Sequence, residues 1–290
     1  MYNFFPFLFI FFWSSAFVSG QIIVQSASPF ASLSFRFVIV SFGFLMFSYL
    51  IKEKIIVKNS LILQSAITGI LFHGFYLGGV FFSYSMGLSA TVSALIVGLQ
   101  PVLTNILSGP ILKEKVTLVQ WIGICLGLFG ATLVIGFDLG NKIPIVGVVA
   151  SIVALLAATA ATIWQKKFTS NLPLSINNFY QAIAASIFLF FVSIFFENSF
   201  INFELSFILS MSWQIVMVSF GAFTILMYLI KTGTASKTSN LFFLVPPTTA
   251  LMAWLVLNEE IYSIDIIGLF ICALGVYIAT RSKNNYVIRD

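Results

Sequence analysis

The chain has 290 residues, of which 60% are hydrophobic and only 8% are charged, and its mean hydropathy is +1.07. This much apolar surface cannot be buried inside one water-soluble core, so lipid must surround the protein. The net charge of +5 is spread along the chain rather than gathered in a basic stripe, which argues against nucleic-acid binding. The composition predicts an all-α membrane protein.

The apolar runs give the number of membrane-spanning helices, because each helix needs about 20 residues to cross the bilayer. Residues 1–51 turn at Ser28-Pro29 and give two spans, and residues 59–112 divide into two at the polar stretch 83–93. Five further runs give one span each: 116–137, 143–165, 168–196, 205–230 and 238–258. A last span covers 261–280. We predict ten transmembrane helices, with connections too short to hold a soluble domain.

The positions of the basic residues predict the orientation. With the N-terminus in the cytoplasm, only Lys142 falls outside, and Arg36 lies within a span. The cytoplasmic residues are then Lys52, Lys54, Lys58, Lys113, Lys115, Lys166, Lys167, Lys231, Lys237, Arg281, Lys283 and Arg289. Cytoplasmic loops are enriched in Lys and Arg, so we predict a multi-pass protein of the cell inner (plasma) membrane with both termini in the cytoplasm.

An internal repeat appears when the chain is compared with itself at an offset of 145 residues. The pairs that coincide are Pro101 with Pro246, Thr104 with Thr249, Glu114 with Glu259, Gly123 with Gly268 and Gly130 with Gly275. Residues 1–145 and 146–290 then hold five helices each, and an odd number inverts the second copy. Lys113-Glu114-Lys115 becomes Asn258-Glu259-Glu260, as expected for a loop that now faces outward. Two inverted five-helix repeats are typical of secondary transporters.

Several stretches resemble the EamA-type transporters of the drug/metabolite transporter superfamily. They are WSSAFVSG at 13–20, SPFASLSFRF at 28–37, GLSATVSALIVGLQPVLTNIL at 87–107, LKEKVTLVQWIGICLGLFGATLVI at 112–135 and PPTTALMAWLVLNEEIYSIDIIGLFICALGVYIA at 246–279. The resemblance covers nearly the whole chain. It implies a ten-helix inner-membrane carrier, of a kind that often exports amino acids and related metabolites. Many relatives carry Lys where this sequence has Gln21.

We therefore expect an exporter of amino acids or related small metabolites that works by alternating access, as a monomer or a weak homodimer. Two alternatives stay open: an exporter of cationic or amphipathic drugs, and a membrane scaffold protein that transports nothing. Small multidrug exporters of this superfamily use a glutamate in the first helix, and this first helix has none. No enzymatic, metal-binding or nucleotide-binding motif occurs, so we expect no enzyme activity, no metal and no cofactor. The expected partners are a small-molecule substrate and membrane lipid.

Polar and ionisable residues within the spans are the candidates for substrate contact, because burying them is costly. Arg36 either meets a substrate carboxylate or pairs within the protein. His73, the only histidine, either serves proton coupling or substrate contact, or is a neutral imidazole bonded to a neighbouring helix. Trp13, beside Ser14, falls near the middle of the first helix rather than at the interface that Trp prefers, which suggests a pocket wall.

The remaining candidates depend on which helix faces turn inward. They are Tyr76, Gln100, Tyr180, Gln181, Tyr228 and Asn240, and Gln181 occupies the position of Arg36 in the second half. Pro101 and Pro246 fall near the middle of the fourth and ninth helices, where each removes a backbone hydrogen bond. They are predicted hinges, with a purely structural kink as the alternative. Glu114 and Glu259 stand at helix ends and are expected to act as caps or hinge ties.

Overall fold

The computed structural model describes residues 4–112, 117–135, 144–233, 238, 240–259 and 263–281. Within these ranges the chain is helical, apart from short connections and an isolated bridge between Ala27 and Ile201. Helices α1 to α3 are Phe5–Ser26, Pro29–Leu50 and Asn59–Ser85, and α4 consists of Ala90–Gly98 and Gln100–Leu112. Helices α5 to α10 are Leu118–Ile135, Ile145–Thr169, Leu174–Phe196, Leu205–Thr232, Asn240–Leu257 and Ser263–Arg281.

Among the described residues, eight helices are long and apolar enough to cross a bilayer, namely α1 to α4 and α6 to α9. The predicted turn at Ser28-Pro29 separates α1 from α2, and the polar stretch 83–93 contains the turn between α3 and α4. Large apolar side chains such as Phe195 and Phe196 are 74% and 77% exposed, as expected where lipid is the solvent. The chain is a multi-pass helical membrane protein, and the number of ten spans stays a prediction.

The helices pack in a pattern that relates the two halves. Helix α1 packs against α8 and α9, while α6 packs against α3 and α4. Helix α2 packs along α7, and α5 along α10. A shift of 145 residues turns the contacts of α1 with α8 and α9 into those of α6 with α3 and α4. The same shift maps the α2–α7 pair and the α5–α10 pair each onto itself. The centre of the protein is therefore enclosed by helices of both halves.

Within the described part of the chain, three helices contain a π-helical stretch. Ile70–Leu77 in α3, Gln165–Thr169 in α6 and Gln214–Ala222 in α8 are π-helical. The stretches in α3 and α8 occupy equivalent places, because residues 70–77 shifted by 145 become 215–222. A π-helix has hydrogen bonds from residue i to residue i+5, and such stretches often occur at functional sites. Composition does not mark them in common, since Gln165–Thr169 is polar and holds two lysines whereas Ile70–Leu77 is almost wholly apolar.

The N-terminus of α2 is held by a carboxylate from another helix. Glu197, which follows the last residue of α7, accepts hydrogen bonds from the backbone N–H groups of Phe30 at 3.2 Å and Ala31 at 2.7 Å. These donors have no partner within their own helix, and the helix dipole favours a negative charge there. Burial raises the pKa of Glu197, against the opposing effect of the two amide donors. Glu197 thus ties α2 to α7 outside the membrane-spanning segments.

A close approach of α3 to α7 requires glycine at position 69. A Cβ atom on Gly69 would lie 2.6 Å from the Cα atom of Gln181, and backbone cannot move aside as a flexible side chain does. We expect Gly69→Ala to lower the free energy of unfolding by about 1–3 kcal/mol through overpacking. Gly221→Ala is the matched control, because its added Cβ would meet Phe12 at an ordinary 3.5 Å. Thermal unfolding in detergent measures both, and equal stability of the two variants would contradict this packing.

Candidate functional site

A cavity lies between α1, α2, α3, α7 and α8. Most of its wall is apolar, and much of that wall is aromatic: Trp13, Phe17, Phe37, Phe44, Phe72 and Phe223. The π-helical stretches of α3 and α8 both face it. In α8 they place Gln214 and Ser219, five residues apart, on the same wall, whereas an α-helix would turn them about 140° apart. The local helix geometry therefore decides which polar groups line the cavity.

Arg36 is the one permanently charged residue in the cavity wall. Its side chain is only 2% exposed, and its Nε–H donates to the Ser219 hydroxyl at 2.9 Å. Among the described residues, its Nη1 atom has no hydrogen-bond partner, and no Asp or Glu lines the cavity. The guanidinium carbon lies 5.2 Å from the centre of the Phe37 ring, which compensates only part of the charge. The wall thus presents a buried cation that lacks an anion.

His73 lies between two aromatic rings in the same wall. The ring centres of Phe37 and Phe223 are 4.3 Å and 4.5 Å from that of His73. The imidazole is 4% exposed, and its Nδ1 atom has no hydrogen-bond partner in the described structure. The bond to a neighbouring helix, considered from the sequence, is therefore not made through Nδ1.

Trp13 and Tyr76 form the aromatic part of the wall that the sequence had selected. Their rings stack with centres 6.4 Å apart at an interplanar angle of 14°. Trp13 also contacts the edge of Phe72, with centres 5.9 Å apart, and Phe242 of α9, with centres 5.4 Å apart. Four predicted residues, Trp13, Arg36, His73 and Tyr76, are thus brought together at one cavity.

Three polar residues of the wall were missed by sequence reasoning: Asn178, Gln214 and Ser219. The Gln214 amide nitrogen donates to the Ala16 carbonyl at 2.8 Å and to Ser19 at 2.9 Å, and its oxygen has no partner. The offset of 145 residues pairs them with Leu33, Gly69 and Gly74, so the repeat carries no polar signal at these places. A neutral amide within an apolar run was the only available hint.

Three other candidates lie outside this cavity and join helices instead. The Ser14 hydroxyl of α1 donates to the Val245 carbonyl of α9 at 3.3 Å. Gln100 of α4 donates to the Thr162 hydroxyl of α6 at 2.8 Å. Asn240 of α9 accepts from Asn105 of α4 at 2.9 Å. These side chains form hydrogen bonds between helices instead of lining the cavity, although Oε1 of Gln100 and Nδ2 of Asn240 have no partner among the described residues.

The last three candidates lie at the opposite end of the bundle from the Ser28-Pro29 turn. Tyr180 donates to the Ile55 carbonyl at 3.0 Å, and Gln181 donates to Gln165 at 2.8 Å. Tyr228 meets the edge of Phe5, with ring centres 5.8 Å apart. Gln181 therefore does not repeat the placement of Arg36, although the two positions correspond in sequence.

The predicted hinges coincide with interruptions of the helices. Helix α4 breaks at Leu99, two residues before Pro101, and α9 begins with the 3₁₀ turn Asn240–Leu244, two residues before Pro246. Leu99 and Leu244 differ by the repeat offset of 145 residues. The breaks also touch, because a Cβ on Gly98 would lie 2.7 Å from Cγ of Pro246. The two irregular points therefore face each other across the α4–α9 contact.

Of the two glutamates predicted at helix ends, the structure describes one. Glu259, after α9, accepts from the Thr91 hydroxyl at the start of α4 at 2.5 Å. This bond matches its expected role as a tie between helix ends. Glu114 lies outside the described residues.

Comparisons with known proteins agree with this fold. The sequence profile of the EamA-like transporter family matches the chain twice, over residues 1–136 and 145–281. The uncharacterized transporter YvbV of Bacillus subtilis (strain 168) is 27% identical over 68% of this chain and 65% of its own length. An uncharacterized transporter of Buchnera aphidicola subsp. Schizaphis graminum is 26% identical over 66% of this chain and 64% of its own length. These two alignments thus span just under two thirds of either relative.

Longer matches extend over nearly the whole chain. An uncharacterized transporter of Archaeoglobus fulgidus is 24% identical over 94% of this chain and 96% of its own. A solved crystal structure shares the fold with a TM-score of 0.77 at 17% identity, covering 95% of both chains. Apolar helices around a central cavity define a multi-pass helical membrane protein. The chain belongs to the EamA-like transporter family.

Proposed function

We propose that the protein is a secondary transporter of the inner membrane that exports amino acids or related small metabolites by alternating access. The observation that carries this proposal is the Arg36 guanidinium, which is buried in an aromatic cavity where the described part of the chain supplies no partner for Nη1 and no acidic residue in the wall. A substrate carboxylate supplies the missing anion, and the aromatic rings accept the apolar part of the substrate.

The architecture in this proposal is ten transmembrane helices in two inverted repeats, 1–145 and 146–290. The two separate family matches support it, as do the equivalent π-helical stretches of α3 and α8 and the equivalent breaks at Leu99 and Leu244. Two similar halves of opposite orientation can exchange inward-open and outward-open packings around a central site. The proposal keeps both termini in the cytoplasm, and the transporter acts as a monomer or a weak homodimer.

The two other functions fit the cavity less well. A carrier of cationic drugs needs an anionic or neutral site, whereas Arg36 repels a cation placed beside it. A scaffold protein has no use for an unpaired buried cation, which costs free energy without a binding partner.

Reconstitution into liposomes tests the proposal. We expect labelled leucine to exchange across proteoliposomes faster than across protein-free vesicles. The variant Lys167→Gln is the matched charge control, because Lys167 is exposed and lies outside the cavity, and its flux should equal that of the unaltered protein. Folded protein that moves none of the twenty amino acids would refute the substrate class, and flux of a quaternary ammonium dye alone would favour the drug carrier.

A further inference from the structure

Some of the buried polar atoms that lack a hydrogen-bond partner among the described residues belong to side chains of the cavity wall, while others, such as Oε1 of Gln100, lie between helices elsewhere. Those in the wall are Nη1 of Arg36, Oε1 of Gln214, Oδ1 of Asn178, Nδ1 of His73 and Nε1 of Trp13, on side chains that are at most 4% exposed. An unsatisfied buried donor or acceptor costs about 1–3 kcal/mol, and more for a charged group. Proteins keep such groups where a ligand completes them, so each atom indicates the chemistry of the ligand group it would meet.

We propose that Arg36 and Gln214 form a two-point site for an α-amino acid zwitterion with an apolar side chain, in which Nη1 of Arg36 binds the α-carboxylate and Oε1 of Gln214 accepts the α-ammonium. This inference rests on the proposed function and names the substrate contacts within it.

The carboxylate end follows from the way Arg36 is held. Ser219 accepts from Nε and fixes one edge of the guanidinium, so that Nη1 remains available. A guanidinium donates in a planar fork that suits a carboxylate, and a hydrogen bond between opposite charges is about twice as strong as a neutral one. Amines that lack a carboxylate meet the same positive charge without compensation.

The ammonium end follows from the orientation of Gln214. Its nitrogen faces the Ala16 carbonyl, which can only accept, so the nitrogen and oxygen of this amide cannot be exchanged. Its oxygen is thereby left as an acceptor without a partner among the described residues, on a side chain that lines the cavity. The amide of Asn178 lacks this constraint, because its nitrogen contacts the Thr224 hydroxyl at 3.5 Å, and a hydroxyl serves as donor or acceptor.

The spacing of the two points selects α-amino acids. Gln214 and Ser219 are joined by one turn of the π-helical stretch Gln214–Ala222, and Ser219 holds Arg36. The acceptor residue and the residue that holds the cation therefore lie on successive turns of one helix, and the proposal places between them a short zwitterion whose two charged groups share one carbon. The remaining wall is apolar, which favours a leucine-like side chain over a charged one.

Binding of three matched ligands to the purified full-length protein tests the site without any substitution. The ligands are leucine, 4-methylpentanoate, which lacks the ammonium, and 3-methylbutylamine, which lacks the carboxylate. Isothermal titration calorimetry should give a Kd for leucine at least about ten-fold lower than for either analogue, since each analogue leaves one buried polar group unpaired. Equal affinity for leucine and either analogue would overturn the two-point site.

Two substitutions then assign the points. Gln214→Met should weaken leucine about ten-fold and leave 4-methylpentanoate unchanged, whereas Arg36→Gln should weaken both. A loss in Gln214→Met that is equal for both ligands indicates structural damage and overturns the ammonium contact. Leucine flux in proteoliposomes distinguishes failure of the two-point site from failure of the proposed function. Flux without ligand discrimination rejects only the two-point site, and absence of binding and flux for every amino acid rejects the proposed function.

Discussion

Replacing Arg36 by Gln is expected to leave the empty protein as stable as before, or to stabilise it, while it removes most of the transport. The guanidinium is 2% exposed and has no acidic partner in the cavity wall, so its burial is compensated only by Ser219 and by the Phe37 ring. A neutral side chain of similar length avoids the desolvation cost and can still bond Ser219. Stability and function therefore change in opposite directions, as expected for a site kept for its ligand.

The expected loss of leucine flux in Arg36→Gln can be estimated from the energy of the lost hydrogen bond. A hydrogen bond to a charged group contributes about 1.5–3 kcal/mol, and every 1.4 kcal/mol is a factor of about ten. We expect leucine flux at subsaturating concentration to fall at least about ten-fold in Arg36→Gln. Arg36→Lys should retain an intermediate flux, because it keeps the charge and loses the planar fork.

Thermal unfolding in detergent, with and without leucine, completes this experiment. Leucine should raise the unfolding temperature of the unaltered protein and not that of Arg36→Gln, because only bound ligand stabilises the folded state. A marked drop in the unfolding temperature of empty Arg36→Gln would mean that Arg36 serves packing. Unchanged flux in a folded variant would remove Arg36 from the substrate site.

The main helix boundaries and part of the site could be predicted from the sequence for one reason. Polar and ionisable residues are so costly within a lipid bilayer that their positions in the spans alone indicate candidate functional residues. Arg36 and His73 were selected because they are the ionisable groups of the spans, and both line the cavity. Trp13 was selected because it lies far from the interface, and it lines the cavity as well.

The rest of the site depends on the direction in which each helix face points. Gln100 and Gln214 are both amides within apolar runs, yet Gln100 bonds Thr162 between α4 and α6 while Gln214 lines the cavity. Nothing in their sequence neighbourhoods separates these outcomes. The π-helical stretch Gln214–Ala222 adds to the difficulty, because it changes the face on which later residues lie and is a product of tertiary packing.

The double substitution Pro101→Ala with Pro246→Ala is expected to preserve leucine binding and to reduce leucine flux at least about ten-fold. Each proline follows a break in its helix by two residues, at Leu99 and Leu244, and the two breaks meet where Pro246 contacts Gly98. Neither Pro101 nor Pro246 lines the cavity, so binding should change by less than about three-fold.

The physical reason lies in the cost of bending. Pro101 and Pro246 lie in the first turn of Gln100–Leu112 and Val245–Leu257, where proline is tolerated, but its missing N–H and its ring disfavour a straight helix through the preceding turn. Alanine restores the donor and makes the straight helix the favoured state. Alternating access then has to break that helix in every cycle. A barrier higher by only about 1.4 kcal/mol already slows a step ten-fold.

Pro247→Ala is the matched control for this prediction. Pro247 is buried beside Pro246 in the same helix, yet the offset of 145 residues pairs it with Val102 rather than with a second proline. A hinge built from corresponding points of both halves should tolerate its loss, so the flux of Pro247→Ala should stay close to that of the unaltered protein. If the double variant and this control transport leucine equally well, the paired prolines are structural kinks, and alternating access must bend the protein elsewhere.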